Sequence, residues 1–260
     1  MADSFFVQDG EHFVATDWAR GPWTAEAAHA GPPAALLARA LEALEPAGPE
    51  MLVSRFAIEV LRPVPLRPLS VRAAVVRPGK RVQLAEALLH DGDTEVARAA
   101  AWRIRPNQVL DSEHNLEAHG FPAPLDSSPV ELFHPGWEPS YFEAMESRTA
   151  SGDFLRPGPA ALWMRMRVDL LPGEPVAPLS RALVAADSAN GISWELPLGQ
   201  FLFANLDLTV HLARMPEGEW VCLDAISRLG RSGLGVAQST LWDERGRFGS
   251  GAQSLLVSRP

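Results

Sequence analysis

Two segments of the chain, residues 56–91 and 208–243, resemble each other in the order of their parts. Identical residues recur at a constant offset of 152 positions without a gap: Arg62 and Arg214, Ala85 and Ala237, Leu89 and Leu241, Asp91 and Asp243. Each segment is followed by a glycine-containing turn and a strand-like stretch that ends in Arg-Pro. Because identity is low, chance similarity is the alternative, but the shared order favours duplication. We therefore expect two like structural units.

A helix is predicted upstream of each copy. In the first half, Pro32 and Pro33 open a stretch with the apolar period of an amphipathic helix. Its apolar stripe consists of Leu36, Leu37, Ala40, Leu41 and Leu44. In the second half, Pro178 opens a similar stretch, which Gly191 is expected to end.

Alternating apolar and polar residues after each helix predict long antiparallel strands. Since one helix cannot bury its apolar stripe alone, each half needs a sheet to cover it. The predicted fold class is α+β, with two antiparallel sheets, each wrapped around a long helix, that meet edge to edge. Residues 1–106 form the first unit, the Pro- and Ser-rich residues 107–140 a connector, and residues 141–260 the second unit.

Charge and composition exclude several classes of function. The net charge of -9 argues against binding to nucleic acid. The single cysteine, Cys222, cannot form an intrachain disulfide, and the seven histidines lack the spacing of metal ligands, so no metal site is expected. With no apolar run long enough to span a membrane and no signal-peptide pattern at the N-terminus, a cytoplasmic location is expected. The sequence lacks a Gly-x-Ser-x-Gly motif, so a serine hydrolase of the α/β type is not expected.

Two polar residues interrupt apolar surfaces of the second half. Asp187 lies on the apolar second helix, where a carboxylate is costly unless it is paired. Gln253 alternates with Leu255 and Val257 on one face of the last strand, and its counterpart in the first half is apolar. A functional site is one interpretation of each residue. The alternative is a solvent-facing or helix-capping position for Asp187 and an edge or cleft-mouth position facing water for Gln253. If Asp187 and Gln253 are functional, the chemistry belongs to the second half alone.

Further candidates lie nearby in the sequence. Asn205 begins a stretch in which Asn205, Asp207, Thr209 and His211 share one strand face, which would line a cleft or face water. His29 precedes the first helix, and Gly31 permits close approach of another group to the backbone. A loop histidine without a function is the alternative for His29.

The order of these segments resembles the double-hotdog proteins of the acyl-CoA thioesterase II type. The segments WTAEAAHAGPPAALLARALEAL, FAIEVLRPVPL, RPGKRVQLAEALL, AADSANG, NLDLTVHLARMPEGEWVCLDAIS and GSGAQSLLVSR carry the resemblance and span nearly the whole chain. Family members place an Asp on the second helix, a Ser or Thr on the next strand and a Gln near the C-terminus. These positions correspond to Asp187, Asn205 and Gln253, so the chain departs from the family pattern at the hydroxyl position.

The resemblance implies hydrolysis of an acyl-CoA through a water activated by Asp187 and held by Asn205 and Gln253. His29, Gly31, Trp194 and Thr209 would then contact the substrate, with backbone N–H groups near Gly31 polarising the thioester carbonyl. No cofactor is expected beyond the coenzyme A of the substrate, and the partners would be a small-molecule acyl-CoA and further copies of the chain, as a homo-oligomer.

Two other functions stay open at this stage. A protein that binds acyl-CoA without turnover is the first, because Asn205 replaces a hydroxyl residue. A hydratase or dehydratase is the second, and it would need a histidine beside the carboxylate; His29 would have to supply it from the other half of the chain.

Overall fold

The computed structural model describes residues 3–45, 51–107, 118, 120–132, 136–197 and 200–259. The strands are β1 Phe6–Asp9, β2 His12–Ala15, β3 Leu52–Val60, β4 Pro68–Arg77, β5 Val82–Asp91, β6 Thr94–Ile104, β7 Ser128–Pro129, β8 Met145–Ser151, β9 Ala160–Met166, β10 Leu202–Asn205, β11 Asp207–Leu212, β12 Val221–Leu229, β13 Leu234–Asp243 and β14 Gly246–Ser258. The α-helices are α1 Gly31–Glu42, α2 Tyr141–Ala144, α3 Pro178–Ala186 and α4 Ala189–Ile192. No helix of the described ranges has the length and apolar character needed to cross a membrane.

The strands belong to one antiparallel sheet rather than to the two that were predicted. Its order is β1-β2-β4-β5-β6-β3-β11-β14-β13-β12-β9-β8-β7, and β10 pairs with β14. The halves join at the centre, where β3 pairs with β11 and Ala57 lies opposite Thr209. The edge-to-edge meeting of the two predicted sheets is thus confirmed, and it makes them one continuous sheet, because the unpaired backbone groups of the edge strands β3 and β11 satisfy each other.

The helices pack on the inner face of this sheet and against each other. Helix α1 contacts β3 to β6 of the first half, whereas α3 contacts β9 and β11 to β13 of the second. As the apolar stripe predicted, Leu36, Leu37 and Leu41 are buried. Because α1 also packs on α3, the two halves share one hydrophobic core.

Gly31 lies at the closest approach of α1 to α3. A Cβ atom at this position would lie 2.7 Å from the carbonyl oxygen and 3.1 Å from the Cα of Val184. Gly31 therefore permits close backbone approach, as predicted, but the neighbouring group is the second helix.

The second helix is interrupted, although the sequence predicted one helix that ends at Gly191. Helix α3 ends at Ala186, Asp187 caps it, and α4 starts at Ala189 after a short break. The break exposes backbone groups of Asp187 and Asn190 to side chains from neighbouring strands. It lies at the position that the resemblance assigns to the carboxylate.

A one-residue irregularity between β10 and β11 changes which side chains face the helices. Both strands pair with β14, but the register of β11 is offset by one residue from that of β10. Since side chains alternate along a strand, an extra residue reverses the faces. Asn205 consequently faces the helices, whereas Thr209 and His211 line a groove on the outer face of the sheet. The predicted common face of Asn205 and Thr209 is therefore wrong.

The matching Arg and Asp residues of the repeat are paired in one half only. In the second half, Arg214 forms a bidentate ion pair with the fully buried Asp243. In the first half, Asp91 forms its ion pair with Arg67 and not with Arg62, the counterpart of Arg214. The duplicated pattern has thus diverged at this pair.

Part of the predicted connector covers the outer face of the sheet. Phe121 packs edge-to-face on Trp242, and the Nε1 of Trp163 donates to the carbonyl oxygen of Pro122 at 2.9 Å. Residues 108–117, 119 and 133–135 of the predicted connector, which include His114, His119 and His134, lie outside the described residues.

Replacing Gly31 by alanine is expected to lower the free energy of unfolding by about 1–3 kcal/mol, because the new methyl group meets rigid backbone of α3. Urea denaturation measures the change. Gly191→Ala is the matched control, since nothing lies within 4 Å of a Cβ atom there; it should be neutral or stabilising by up to about 1 kcal/mol. Equal destabilisation by both substitutions would contradict this account of the helix contact.

Candidate active site

Asp187 lies at the break between α3 and α4, with a side chain that is only 2% exposed. Its Oδ1 accepts hydrogen bonds from the Nδ2 of Asn205 at 2.7 Å and the Nε2 of Gln253 at 3.3 Å. Its Oδ2 lies 3.0 Å from the Nδ1 of His29. Three polar side chains therefore compensate the loss of hydration that burial imposes on a carboxylate.

Gln253 holds the helix break in place. Its Nε2 donates to the backbone oxygen of Asp187 at 3.0 Å as well as to the carboxylate, and its Oε1 accepts from the backbone N–H of Asn190 at 3.2 Å. Both amide hydrogens are thereby used. The structure brings Gln253 to Asp187, but Gln253 is not among the residues that line the cavity described below, where the water that it was predicted to hold would lie.

His29 comes from the other half of the chain. Its Nδ1 is 3.0 Å from Asp187 Oδ2 and 3.3 Å from the backbone nitrogen of Gly31. It cannot donate to the first and accept from the second at once. Hydrogen bonds to a charged acceptor are the stronger ones, so the shorter contact places the proton on Nδ1. The Nε2 atom then carries the free lone pair.

Tyr141 fixes the orientation of the imidazole. The two rings are parallel, with their centroids 3.7 Å apart. The Tyr141 hydroxyl contacts the Val184 oxygen at 2.7 Å and Ser188 Oγ at 2.8 Å; because it has one hydrogen, it donates to Val184 and accepts from Ser188. Neither Tyr141 nor Ser188 was among the candidate residues predicted from the sequence. The signals were that Tyr141 is the only tyrosine and follows Ser140 in a capping box.

Burial and charge act on His29 in opposite directions. Burial lowers the pKa of the imidazole below its usual value of 6.5, and the negative charge of Asp187 partly opposes this. The larger effect is the loss of hydration. His29 is therefore neutral at pH 7 and able to accept a proton.

A cavity of about 400 Å³ opens beside this pair. His29, Asp187 and Asn205 line it, together with residues of both halves that are mostly apolar. Its aromatic lining residues are Trp23, Phe142, Phe154 and Phe203. The size and lining are typical of sites for small organic ligands.

Three of the predicted substrate contacts lie elsewhere. Thr209 lies on the outer face of the sheet, and Gly31 packs against α3. The Nε1 of Trp194 donates to the backbone oxygen of Phe154 at 2.8 Å, so Trp194 supports the cavity wall without lining it. Within the described ranges, no group of three His, Cys, Asp or Glu side chains has the arrangement of a metal site.

Two domain families match the chain. The acyl-CoA thioesterase N-terminal domain matches residues 19–104, and the acyl-CoA thioesterase C-terminal domain matches residues 122–257. The chain belongs to the acyl-CoA thioesterase family. A comparison with curated proteins gave no match.

Solved structures show the same fold. A protein from Novosphingobium aromaticivorans DSM 12444, proposed to be a thioesterase, is 22% identical, with 98% of both chains covered and a TM-score of 0.70. A hotdog-fold protein of unknown function from Alicyclobacillus acidocaldarius is 16% identical, with 98% of this chain and 96% of that chain covered and a TM-score of 0.73. Acyl-CoA thioesterase II TesB2 from Mycobacterium marinum is 18% identical, with 82% and 83% covered and a TM-score of 0.63. These similarities establish the hotdog fold.

The lowered pKa of His29 predicts a pH dependence of stability. Below pH 6.5 the unfolded chain takes up a proton at this histidine before the folded chain does, so the free energy of unfolding decreases. The loss is at most about 1.4 kcal/mol per pH unit. The stability advantage of the wild type over His29→Gln should therefore shrink as pH falls from 6.5 to about 5.5, above the range in which ordinary carboxylates titrate.

Chemical denaturation at a series of pH values measures this difference. An advantage of the wild type that grows as pH falls would show that the charge of Asp187 outweighs burial, and would contradict a neutral His29.

Proposed function

We propose that this protein hydrolyses acyl-CoA thioesters to a carboxylic acid and free coenzyme A. The observation that carries the proposal is the buried His29–Asp187 pair in the wall of a mostly apolar cavity. Membership of the acyl-CoA thioesterase family supports the thioester as substrate. The apolar lining suits an acyl chain, and the polar pair suits a reaction with water at the carbonyl carbon.

In the proposed reaction, His29 is the general base. A water molecule attacks the thioester carbonyl carbon while its proton passes to the Nε2 of His29. Asp187 stabilises the imidazolium through the contact of 3.0 Å at Nδ1. The tetrahedral intermediate then breaks its C–S bond, and the imidazolium returns the proton to the leaving thiolate.

Asn205 and Gln253 take different parts in this proposal. Asn205 donates its Nδ2 to Asp187, which leaves its amide oxygen for a water in the cavity. An asparagine can thus hold a water where the family pattern has a hydroxyl group. Gln253 acts on Asp187 by fixing its position, since its amide hydrogens are used at the helix break.

The developing oxyanion needs hydrogen-bond donors near the carbonyl oxygen. Ala30 lines the cavity immediately before the start of α1, where backbone N–H groups lack partners within the helix. Pro32 and Pro33 have no N–H, and Gly31 packs against α3 outside the cavity lining, so Ala30 is the donor that the start of this helix can offer.

Hydration or dehydration of an acyl-CoA is the second candidate function. The observation that favours it is that His29 does lie beside Asp187, although it comes from the other half. A neutral histidine oriented by a carboxylate can also remove a proton from the carbon next to a thioester carbonyl.

His29→Gln and Asp187→Asn are each expected to lower kcat for thioester hydrolysis at least about a hundredfold, because both remove the oriented base. Release of free thiol from short, medium, long and aromatic acyl-CoAs measures the rate. Asp224→Asn is the control, since Asp224 lies in the outer groove of the sheet, and it should keep the wild-type rate.

A comparison of His29→Gln with Asp187→Asn also shows which of the two residues is the general base. If Asp187 activated the water directly, His29→Gln would keep most of the activity while Asp187→Asn would lose it. Saturable binding of acyl-CoA without turnover of any thioester would leave a binding protein. If the protein changed the absorbance of an enoyl-CoA substrate without releasing free thiol, it would instead be a hydratase.

A further inference from the structure

Arg62 is an exposed arginine that lines the cavity of the candidate active site. Among the described lining residues it is the only arginine or lysine, and the other ionisable side chains are His29 and Asp187. No ion pair or side-chain hydrogen bond holds its guanidinium within the part of the chain that the structure describes. Since Asp187 is buried and Arg62 is exposed, Arg62 lies towards the solvent end of the cavity.

The repeat shows that Arg62 has lost the structural role of its counterpart. Arg214 is tied to Asp243 by two hydrogen bonds of 2.6 Å. The aspartate that matches Asp243 in the first half is Asp91, and Arg67 binds it instead. The guanidinium of Arg62 is therefore available for another contact, whereas that of Arg214 is held by Asp243.

The backbone around Arg62 is part of the cavity wall. The N–H of Arg62 donates to the oxygen of Val96 at 3.1 Å, and the N–H of Ala28 donates to the oxygen of Val64 at 2.8 Å. The second bond joins this segment to the loop that carries His29. The position of Arg62 relative to His29 is thus fixed by hydrogen bonds of the backbone.

The positive charge of Arg62 lies among apolar residues at the opening of the cavity. The other exposed large side chains that line the cavity are apolar: Trp23, Leu61, Leu206 and Leu256. The protein as a whole carries a net charge of -9, which repels anionic ligands. An anionic substrate therefore needs a local cation to approach this opening.

We propose that Arg62 binds a phosphate group of the thioester carrier and so selects phosphate-bearing thioesters for this site. The inference rests on the proposed thioester hydrolysis. The carrier phosphate remains outside the cavity while the acyl group enters it, and a guanidinium binds phosphate oxygens through paired hydrogen bonds. The phosphate can belong to coenzyme A or to the phosphopantetheine of an acyl carrier protein.

The test compares the same acyl group on coenzyme A, on pantetheine without phosphate, and on an acyl carrier protein. Arg62→Ala should raise KM for acyl-CoA about tenfold or more, the usual effect of losing a hydrogen bond to a charged group. It should change KM for acyl-pantetheine less than about twofold, because that thioester has no phosphate to lose. Arg62→Lys should keep part of the effect, since it keeps the charge without the paired donors.

Arg72→Ala is the matched control, because Arg72 is an exposed arginine on β4 that does not line the cavity. It should leave all three substrates unchanged. If Arg62→Ala raised KM only for the thioester of the acyl carrier protein, the bound phosphate would be that of the carrier protein. Equal effects on acyl-CoA and acyl-pantetheine, or none on any thioester, would overturn the proposal.

A binding measurement separates this inference from the proposed reaction. If the wild type hydrolyses no thioester at all, the proposed function fails, and titration calorimetry with coenzyme A itself still tests Arg62. Binding that weakens about tenfold in Arg62→Ala, but not in Arg72→Ala, supports phosphate recognition. Equal affinity of the wild type and Arg62→Ala for coenzyme A overturns it.

Discussion

A carboxylate inside a protein loses its hydration, and other polar groups have to replace it. In this fold the replacement for Asp187 comes from three distant parts of the chain: His29 before α1, Asn205 on β10 and Gln253 on β14. The His29 contact depends on the packing of α1 on α3, and the Asn205 contact depends on the pairing of β10 with β14. The ordering of the site and the association of the two halves are therefore coupled.

The two halves have kept a common architecture and lost common chemistry. Both place a helix with proline in its first turn on the inner face of the sheet. The second helix breaks at Asp187, whereas α1 continues through its twelve residues. The second half supplies the carboxylate and its amide partners, and the first half supplies the imidazole. A single site at the junction results from two similar units.

The ion pairs of the repeat show the same divergence. Arg214 and Asp243 stabilise a turn of the second half, where the aspartate also accepts backbone hydrogen bonds from Glu217 and Arg245. In the first half, Arg67 replaces Arg62 as the partner of Asp91. A duplicated structural residue can take a new position at a cavity once a neighbour assumes its original contact.

The sequence by itself predicted two like units of an α+β class and marked Asp187 and Gln253 as candidate site residues, because periodicity and polar residues on apolar surfaces are local signals. The family resemblance added Asn205. The sequence did not determine that Asn205 turns away from Thr209, since a one-residue irregularity between strands leaves no periodic signal. The tertiary structure alone decided that α3 breaks at Asp187, that His29 reaches the carboxylate, and that Tyr141 stacks on His29. Those contacts join residues more than forty positions apart, and they depend on how the two helices pack.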